Sequence, residues 1–296
     1  MNAIVETKKE RKYFIDWLRI GLIISVFFYH IGMYFNSWEW HIKSKEPILF
    51  LEPIMSWLHF WRMPLLFLVS GVGTYYALGF RTVKKYLKER FTRLFIPFFI
   101  GIFVLVPIQV YIEKIDSYSS LGNYYLHMFD GIYPEGNFSW HHLWFLIYLL
   151  IISLVISPFL NYLRSDQFLT IKDWMIHHTS KKMGLNWVLL ILIVSQLILR
   201  EYFPNSTHAL FNDWAYIIFY LLFFLSGFIL FTSKKQIEAV AKQRNIYLVQ
   251  TIVCSVFFYS IPILFNNYTN LMYAYTIAGI SIAWSCGLTA IGYFKE

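Results

Sequence analysis

The sequence predicts an all-α membrane protein, a single domain over residues 1–296 built as a bundle of about eight transmembrane helices. Its residues are 58% hydrophobic, 21% aromatic and only 14% charged, whereas soluble domains carry about a quarter charged residues. Apolar runs of about twenty residues, long enough to cross a bilayer core as a helix, recur along the chain. Lys and Arg cluster between these runs. This composition excludes a soluble globular protein.

Eight apolar runs define the predicted spans. The first run is too long for the apolar segment of a signal peptide and lacks a small-residue cleavage site, so we expect it to remain as the first helix. The fifth run is the weakest candidate for a transmembrane helix. The predicted spans cover residues 14–35, 53–78, 91–112, 143–163, 186–203, 214–231, 246–265 and 271–293.

The basic residues predict a cytoplasmic N-terminus. With that orientation every inner segment is rich in Lys and Arg, as cytoplasmic loops usually are. The net charge of +8 is then explained by topology and anionic lipid headgroups, and we expect no nucleic-acid partner. The outer segments keep only Lys43, Lys45, Lys114 and Arg200.

The two cysteines carry no metal or disulfide signal. Cys254 and Cys286 lie inside apolar runs and lack the spacing of a metal site or of a disulfide framework. We interpret both as small buried hydrophobic residues. The outer histidines also lack metal-ligand spacing, so we expect neither a metal ion nor a bound cofactor.

Ionisable residues inside an apolar span are costly and often functional. Asp16, Arg19 and His30 lie in the first span. At about 100° per residue they share one helix face, with Arg19 and His30 about 16 Å apart along the axis. One interpretation is a functional column crossing the membrane. The other is that Arg19 extends to the inner headgroups and His30 is a satisfied interior residue.

The second span opens with His59 and Arg62, three residues apart and therefore on one face. They fix the depth of the helix at the outer surface or belong to a functional site. The run Ser70-Gly71-Val72-Gly73 follows in mid-span. Small residues there usually permit close helix packing, so a role for Ser70 in chemistry is the weaker interpretation.

Two further groups border the third and fourth spans. Arg90 and Arg93 share a face at the inner edge of the third span, where they either anchor the helix or bind phosphate. The fourth span opens with Trp-His-His-Leu-Trp-Phe, residues 140–145. The tryptophans are typical of an aromatic belt. Adjacent helical histidines point to different faces, so we expect at most one of them to face inward.

These residues together resemble the bacterial acyltransferase family 3 membrane proteins. Arg19 and His30, with ten residues between them in a first span that opens Ile-Asp-Trp-Leu-Arg, resemble the family signature. Residues 62–71, Arg-Met-Pro-Leu-Leu-Phe-Leu-Val-Ser-Gly, resemble its second-span motif. Arg90 and Arg93 before Leu-Phe-Ile-Pro resemble its cytoplasmic Arg-x-x-Arg motif. Residues 142–146, His-Leu-Trp-Phe-Leu, resemble its fourth segment.

Within the family, one branch is most similar. Trp40-His41-Ile42 followed by Ser44, and His59 three residues before Arg62, resemble the branch that succinylates periplasmic glucans. The clear matches cover residues 13–150. Family members usually have about ten spans, so we expect the last family helices to be missing from this chain.

The resemblance implies an acyltransferase, of the class that transfers groups other than amino-acyl groups, in the bacterial inner membrane. It would move an acyl group, acetyl or succinyl, from the co-substrate acyl-CoA on the cytoplasmic side to a hydroxyl of an extracytoplasmic glycan. His30 would act with Arg19 and Asp16, either as a general base or as an acylated intermediate. Arg90 and Arg93 would bind the donor. The expected residues of the acceptor side are His41, His59, Arg62, Ser70, His142 and Trp144; Arg62 would receive the free carboxylate of a succinyl group.

A multi-span transporter is the alternative. Intramembrane Arg and His residues also line substrate and proton pathways. The sequence shows no internal repeat and no matching pair of broken helices, which many transporters contain. A structural or sensory membrane protein is a third possibility, but such a protein would not need the Arg19 and His30 column. The oligomeric state stays open.

Overall fold

The protein is all-helical over the part of the chain that its structure describes. The structure is a computed structural model that describes residues 13–133, 135–204, 206–265 and 267–295. Within these ranges the only β pairing is an isolated bridge between Ile132 and Phe138. The predicted all-α class is therefore confirmed. The helices are α1 (Tyr13–Phe35), α2 (Leu51–Leu78), α3 (Val83–Glu113), α4 (Leu121–Leu126), α5 (Trp144–Ile156), α6 (Asp166–Thr179), α7 (Asn186–Tyr202), α8 (Trp214–Ile229), α9 (Lys234–Lys242), α10 (Arg244–Leu264) and α11 (Tyr268–Phe294).

Short polar side chains mark where several helices begin. The hydroxyl of Thr82 accepts a hydrogen bond from the backbone amide of Lys85 in the first turn of α3. Ser165, Ser233 and Asn267 cap α6, α9 and α11 in the same way. These side chains satisfy amides that the helix itself leaves unbonded. The polar segments between apolar runs therefore set where the helices start.

Each of the eight predicted spans overlaps one helix, namely α1, α2, α3, α5, α7, α8, α10 and α11. Within the described ranges, five helical segments are long and apolar enough to cross a membrane. The number rises to six if α8 and α9, which meet at a bend of 107°, form one span. α7 and α8 have only 17 and 16 residues. The count of eight and the cytoplasmic N-terminus stay predictions.

The region after α5 differs from its predicted continuous span over residues 143–163. The helix ends at Ile156 and is followed by short 3₁₀ turns, the first of which contains Pro158. Proline lacks the amide hydrogen that a continuing helix would need. The structure also contains α6 and α9, which hydropathy alone did not predict. α9 is amphipathic and buries Ile237 and Val240 against the bundle.

α2 occupies the middle of the bundle and packs against α1, α8 and α11. Its contact with α8 depends on two glycines. A Cβ atom added at Gly71 would overlap the carbonyl oxygen of Phe224, and one added at Gly227 would overlap that of Leu68. The backbones of the two helices therefore touch, as the small residues of the second span predicted. This contact fixes the position of α2 against α8.

Candidate active site

A cavity of about 360 Å³ lies between α1, α2 and α5. Its α1 wall is a stripe of four residues spaced as one helix face: Arg19, Ile23, Val26 and His30. The cavity therefore follows about three turns of α1. The predicted site residues on its wall are Arg19, His30, Arg62, Ser70, His142 and Trp144. Asp16, His41, His59, Arg90 and Arg93 do not line it.

His30 presents one free basic nitrogen in this cavity. Its Nδ1 lies 2.7 Å from the carbonyl oxygen of Val26. A carbonyl can only accept, so Nδ1 carries the hydrogen and Nε2 keeps the lone pair in the neutral ring. The ring lies 5.9 Å from that of His142 and 5.8 Å from that of Trp40, measured between centroids. A fixed tautomer with Nε2 as the base suits proton transfer.

Arg62 is a buried cation with unused hydrogen-bonding capacity. Its side chain is 6% exposed, and its Nε and Nη1 atoms have no hydrogen-bond partner. The guanidinium stacks 3.3 Å from the ring centre of Tyr29. The Tyr29 hydroxyl in turn lies 3.2 Å from Nδ1 of His59. Because a buried unpaired charge is costly, Arg62 is well placed to bind an anionic group in the cavity.

Arg19 lies at the other end of the α1 stripe. Its Nη1 forms an ion pair with Asp16 at 3.2 Å, one turn earlier on the same helix. The Arg19 side chain is 43% exposed. The prediction that Asp16 acts with Arg19 and His30 stays a prediction; the structure pairs Asp16 with Arg19, and Asp16 does not line the cavity. Asp16 therefore orients Arg19.

Arg90 and Arg93 have different environments. Arg90 donates to the Thr74 hydroxyl at 2.8 Å and, through Nε, to the Tyr86 hydroxyl at 3.0 Å. Its Nη2 also donates to the carbonyl oxygen of Ser70 at 3.4 Å. Ser70 itself lines the cavity. Arg93 is exposed. The guanidinium of Arg90 thus fastens α3 to α2, while that of Arg93 is accessible to a ligand.

His41 belongs to a cluster of side chains, here called the His41 cluster, that the sequence did not reveal. Its Nδ1 lies 2.5 Å from Oε2 of Glu113, and the other oxygen of that carboxylate accepts from the Tyr133 hydroxyl at 2.9 Å. Burial, and then the bond to Glu113, raise the pKa of Tyr133 to about 12. The His41 ring lies 4.2 Å from that of His141. The cluster joins the segment after α1 to the end of α3 and the segment before α5.

His141 and His142 face different sides, as predicted. His141 adopts a left-handed backbone with φ of 37°, which is uncommon for a residue with a side chain. His142 lines the cavity, and its Nδ1 is buried without a hydrogen-bond partner.

Among the described residues, no group of three or more His, Cys, Asp or Glu side chains is arranged to hold a metal ion.

The segment between α7 and α8 covers the site. The carbonyl of His208 accepts from Nε1 of Trp140 at 2.9 Å, and the His208 ring lies 4.5 Å from that of Trp144. Burial, and then the charge of Arg62, lower the pKa of His208 to about 4. Asp213 is fully buried and accepts from the Tyr148 hydroxyl at 2.5 Å; burial raises its pKa to about 6. Neither residue was predicted.

The chain matches one family model over nearly its whole length. The model of acyltransferase family 3, described as an acyltransferase domain, matches residues 12–295. No solved structure matches the chain at a significant level. Taken with the membrane-spanning helices, the match describes a multi-pass membrane protein.

Curated relatives support the same assignment. Glucans biosynthesis protein C from Escherichia coli O1:K1 / APEC is 27% identical over 238 residues, which cover 75% of this chain and 57% of the relative. The proteins of that name from Escherichia coli O139:H28 (strain E24377A / ETEC) and O9:H4 (strain HS) match with the same identity and coverage. The chain thus spans less than two thirds of these relatives. Because the family model matches nearly the whole chain, the chain belongs to the acyltransferase 3 family.

Proposed function

We propose that this protein is an O-acyltransferase of the bacterial inner membrane, with about eight spans and a cytoplasmic N-terminus. It moves an acetyl or succinyl group from cytoplasmic acyl-CoA to a hydroxyl of an extracytoplasmic glycan. Family membership and the glucan-related relatives support this function. The observation that carries it is the basic Nε2 of His30 in a cavity that runs along α1, with Arg19 at one end and Arg62 near the other.

His30 acts as the general base in this proposal. Its Nε2 takes the proton from the acceptor hydroxyl as the oxygen attacks the thioester carbonyl. The carbon–sulfur bond of the resulting tetrahedral intermediate then breaks, and the thiolate of CoA takes the proton back from Nε2. The hydrogen bond from Nδ1 to the Val26 carbonyl keeps Nδ1 protonated throughout, so only Nε2 takes up and releases the proton. Acylation of His30 itself is the competing route, and it predicts labelled protein when acyl-CoA is added without acceptor.

Arg62 supplies positive charge to the reacting group. The tetrahedral intermediate carries a negative oxygen, and preorganised donors in a dry site stabilise such an oxygen strongly. The unpartnered Nε and Nη1 atoms of Arg62 are suitable donors. For a succinyl donor the same guanidinium can bind the free carboxylate, so comparison of succinyl-CoA with acetyl-CoA in an Arg62 variant distinguishes these roles. His59 and Tyr29 hold the guanidinium in place.

The donor enters from the end of the cavity at Arg19. The anionic nucleotide of CoA is too polar to cross the bilayer core, so only the acyl-bearing arm extends along α1. Exposed Arg93 binds phosphate, because guanidinium groups suit phosphate oxygens. Arg90 supports this end by fastening α3 to the Ser70 carbonyl beside the cavity.

A reconstitution experiment tests the function. The full chain is placed in vesicles with acyl-CoA, labelled in the acyl group, on the N-terminal side of the membrane and a glucan on the other. We expect label on the glucan and one free CoA thiol released for each acyl group transferred. Movement of free substrate without CoA release would identify a transporter and contradict the proposal.

A further inference from the structure

A second recess lies outside the proposed acyl-transfer cavity. Two cavities of about 200 and 230 Å³ share Arg200 of α7 and Met272 and Thr276 of α11, so they adjoin. The first reaches inward to His59 of α2, and the second includes Gln196 of α7. We call the pair the α7–α11 cavity. It lies at the same end of the bundle as the segment between α7 and α8 that covers Trp144.

Two polar groups on its wall lack partners. Gln196 is fully buried; its Nε2 donates to the Ala215 carbonyl at 2.8 Å, but its Oε1 has no hydrogen-bond partner. Nε of Arg200 is also buried without a partner, and the guanidinium stacks 4.4 Å from the ring centre of Tyr216. Unsatisfied buried groups are costly and rare in folded proteins. Both therefore point to a ligand.

The two groups define the chemistry of that ligand. Arg200 offers a cationic donor, which favours an anionic oxygen, above all of a phosphate. Gln196 Oε1 can only accept, so it needs a hydroxyl or amine hydrogen. The residues are four apart on one face of α7, about 6 Å along the helix axis. A phosphate ester that also carries free hydroxyl groups satisfies both, whereas a bare phosphate or an acyl chain satisfies at most one.

The mouth of the cavity indicates a source for this ligand. Tyr268, Met272 and Tyr273 on α11 line the cavity and are 77%, 44% and 41% exposed. α11 is long and apolar enough to cross a membrane, and these residues lie in its first two turns, so the mouth opens at the depth of the lipid headgroups. We propose that the α7–α11 cavity binds a polyol phosphate, presented by the headgroup of a membrane lipid.

Native mass spectrometry of the purified full chain in detergent tests this proposal. The probes are short-chain phosphatidylglycerol, phosphatidic acid, phosphatidylcholine and soluble glycerol 3-phosphate. Both lipids carry the phosphate, but only phosphatidylglycerol offers a hydroxyl hydrogen to Gln196, and only phosphatidylcholine carries a quaternary ammonium that Arg200 repels. We therefore expect phosphatidylglycerol to bind at least about tenfold more tightly than phosphatidylcholine. Arg200→Gln should weaken phosphatidylglycerol binding about tenfold, because it loses the charge-assisted hydrogen bond to the phosphate, and should reduce this preference, because it no longer repels choline. Lys45→Gln, which removes an exposed charge outside the cavity, should retain it.

The remaining variants keep the test decisive. If Arg200→Gln fails to fold, Arg200→Lys keeps the charge but loses the planar donor, and should weaken phosphatidylglycerol binding. Gln196→Leu should bind phosphatidylglycerol and phosphatidic acid equally, because the hydroxyl acceptor is gone. Binding of glycerol 3-phosphate, lost in Arg200→Gln, with no binding of any lipid supports the same site with a soluble ligand.

Equal binding of phosphatidylglycerol and phosphatidylcholine, or wild-type binding by both Arg200 variants, would overturn the proposal. The readout does not involve acyl transfer, so this result is separable from failure of the proposed function.

Discussion

Arg62 should destabilise the folded protein while it assists catalysis, and Arg62→Met separates these effects. The side chain is 6% exposed, and two of its nitrogens lack partners. Each buried unsatisfied donor costs about 1–3 kcal/mol, so the two nitrogens destabilise the folded protein by about 2–6 kcal/mol. The stack on Tyr29 offsets about 2 kcal/mol of this cost. Methionine is similar in length and carries no charge. We expect the free energy of unfolding to rise by about 2 kcal/mol, the middle of the resulting range.

Thermal unfolding and acyl-transfer assays of the same preparations measure the two effects. A gain of this size corresponds to a rise in melting temperature of roughly 3 °C for a chain of 296 residues. The loss of one preorganised donor should lower the transfer rate by about 100- to 1000-fold. The physical reason is that a desolvated positive charge without a partner is costly in the free protein and useful in the transition state.

Arg81→Met is the matched control. Arg81 pairs with Glu89 at 3.2 Å and both side chains are 29% exposed, so its removal should cost about 0–1 kcal/mol. A lower melting temperature for Arg62→Met would contradict the predicted destabilisation by Arg62, because it would show that the guanidinium is satisfied in the folded protein. An unchanged transfer rate would refute the catalytic part.

Three further predictions concern the bundle and its edges. Gly71→Val should prevent the α2–α8 contact and abolish cooperative thermal unfolding, whereas a retained transition would contradict the backbone contact between Gly71 and Phe224. Burial raises the pKa of Asp213 from its ordinary 3.8 to about 6, so the folded state favours the protonated carboxyl. The folded protein therefore has its full stability below pH 3.8 and loses part of it as pH rises through about 6. Asp213→Asn should therefore gain up to about 3 kcal/mol over the wild type between pH 4 and pH 7 in thermal unfolding, and a pH-independent difference would contradict this. Arg93→Ala should raise the KM for acyl-CoA about tenfold without changing the melting temperature, whereas an unchanged KM would remove its phosphate role.

The part of the site on α1 was predictable because helical periodicity is local. The spacing of Arg19 and His30 requires only a continuous helix, and the structure places both on one cavity wall. The run of small residues around Gly71 likewise predicted close helix packing, and α8 meets α2 there. Hydropathy predicted the all-α class for the same reason, since each span is recognised from its own residues.

The His41 cluster and the segment between α7 and α8 could not be predicted in this way. Glu113 lies 72 residues after His41, and their contact depends on how α3 packs against the rest of the bundle. His208 and Asp213 reach the site through an irregular segment, in which His208 has φ of 51°. Periodicity carries no information about such contacts. The buried, unpartnered nitrogens of Arg62 also depend on its neighbours, so the sequence could not distinguish it from a residue at the membrane surface.

The most direct test of the account is the initial rate of labelled acyl transfer to glucan by His30→Ala. The control is His127→Ala, which removes an exposed histidine paired with Asp130 at 2.7 Å. Loss of the general base should lower the rate by at least about 100-fold, with an unchanged melting temperature. The control should stay within about twofold of the wild type, as exposed substitutions usually do. Transfer by His30→Ala at the wild-type rate would contradict the assignment of His30.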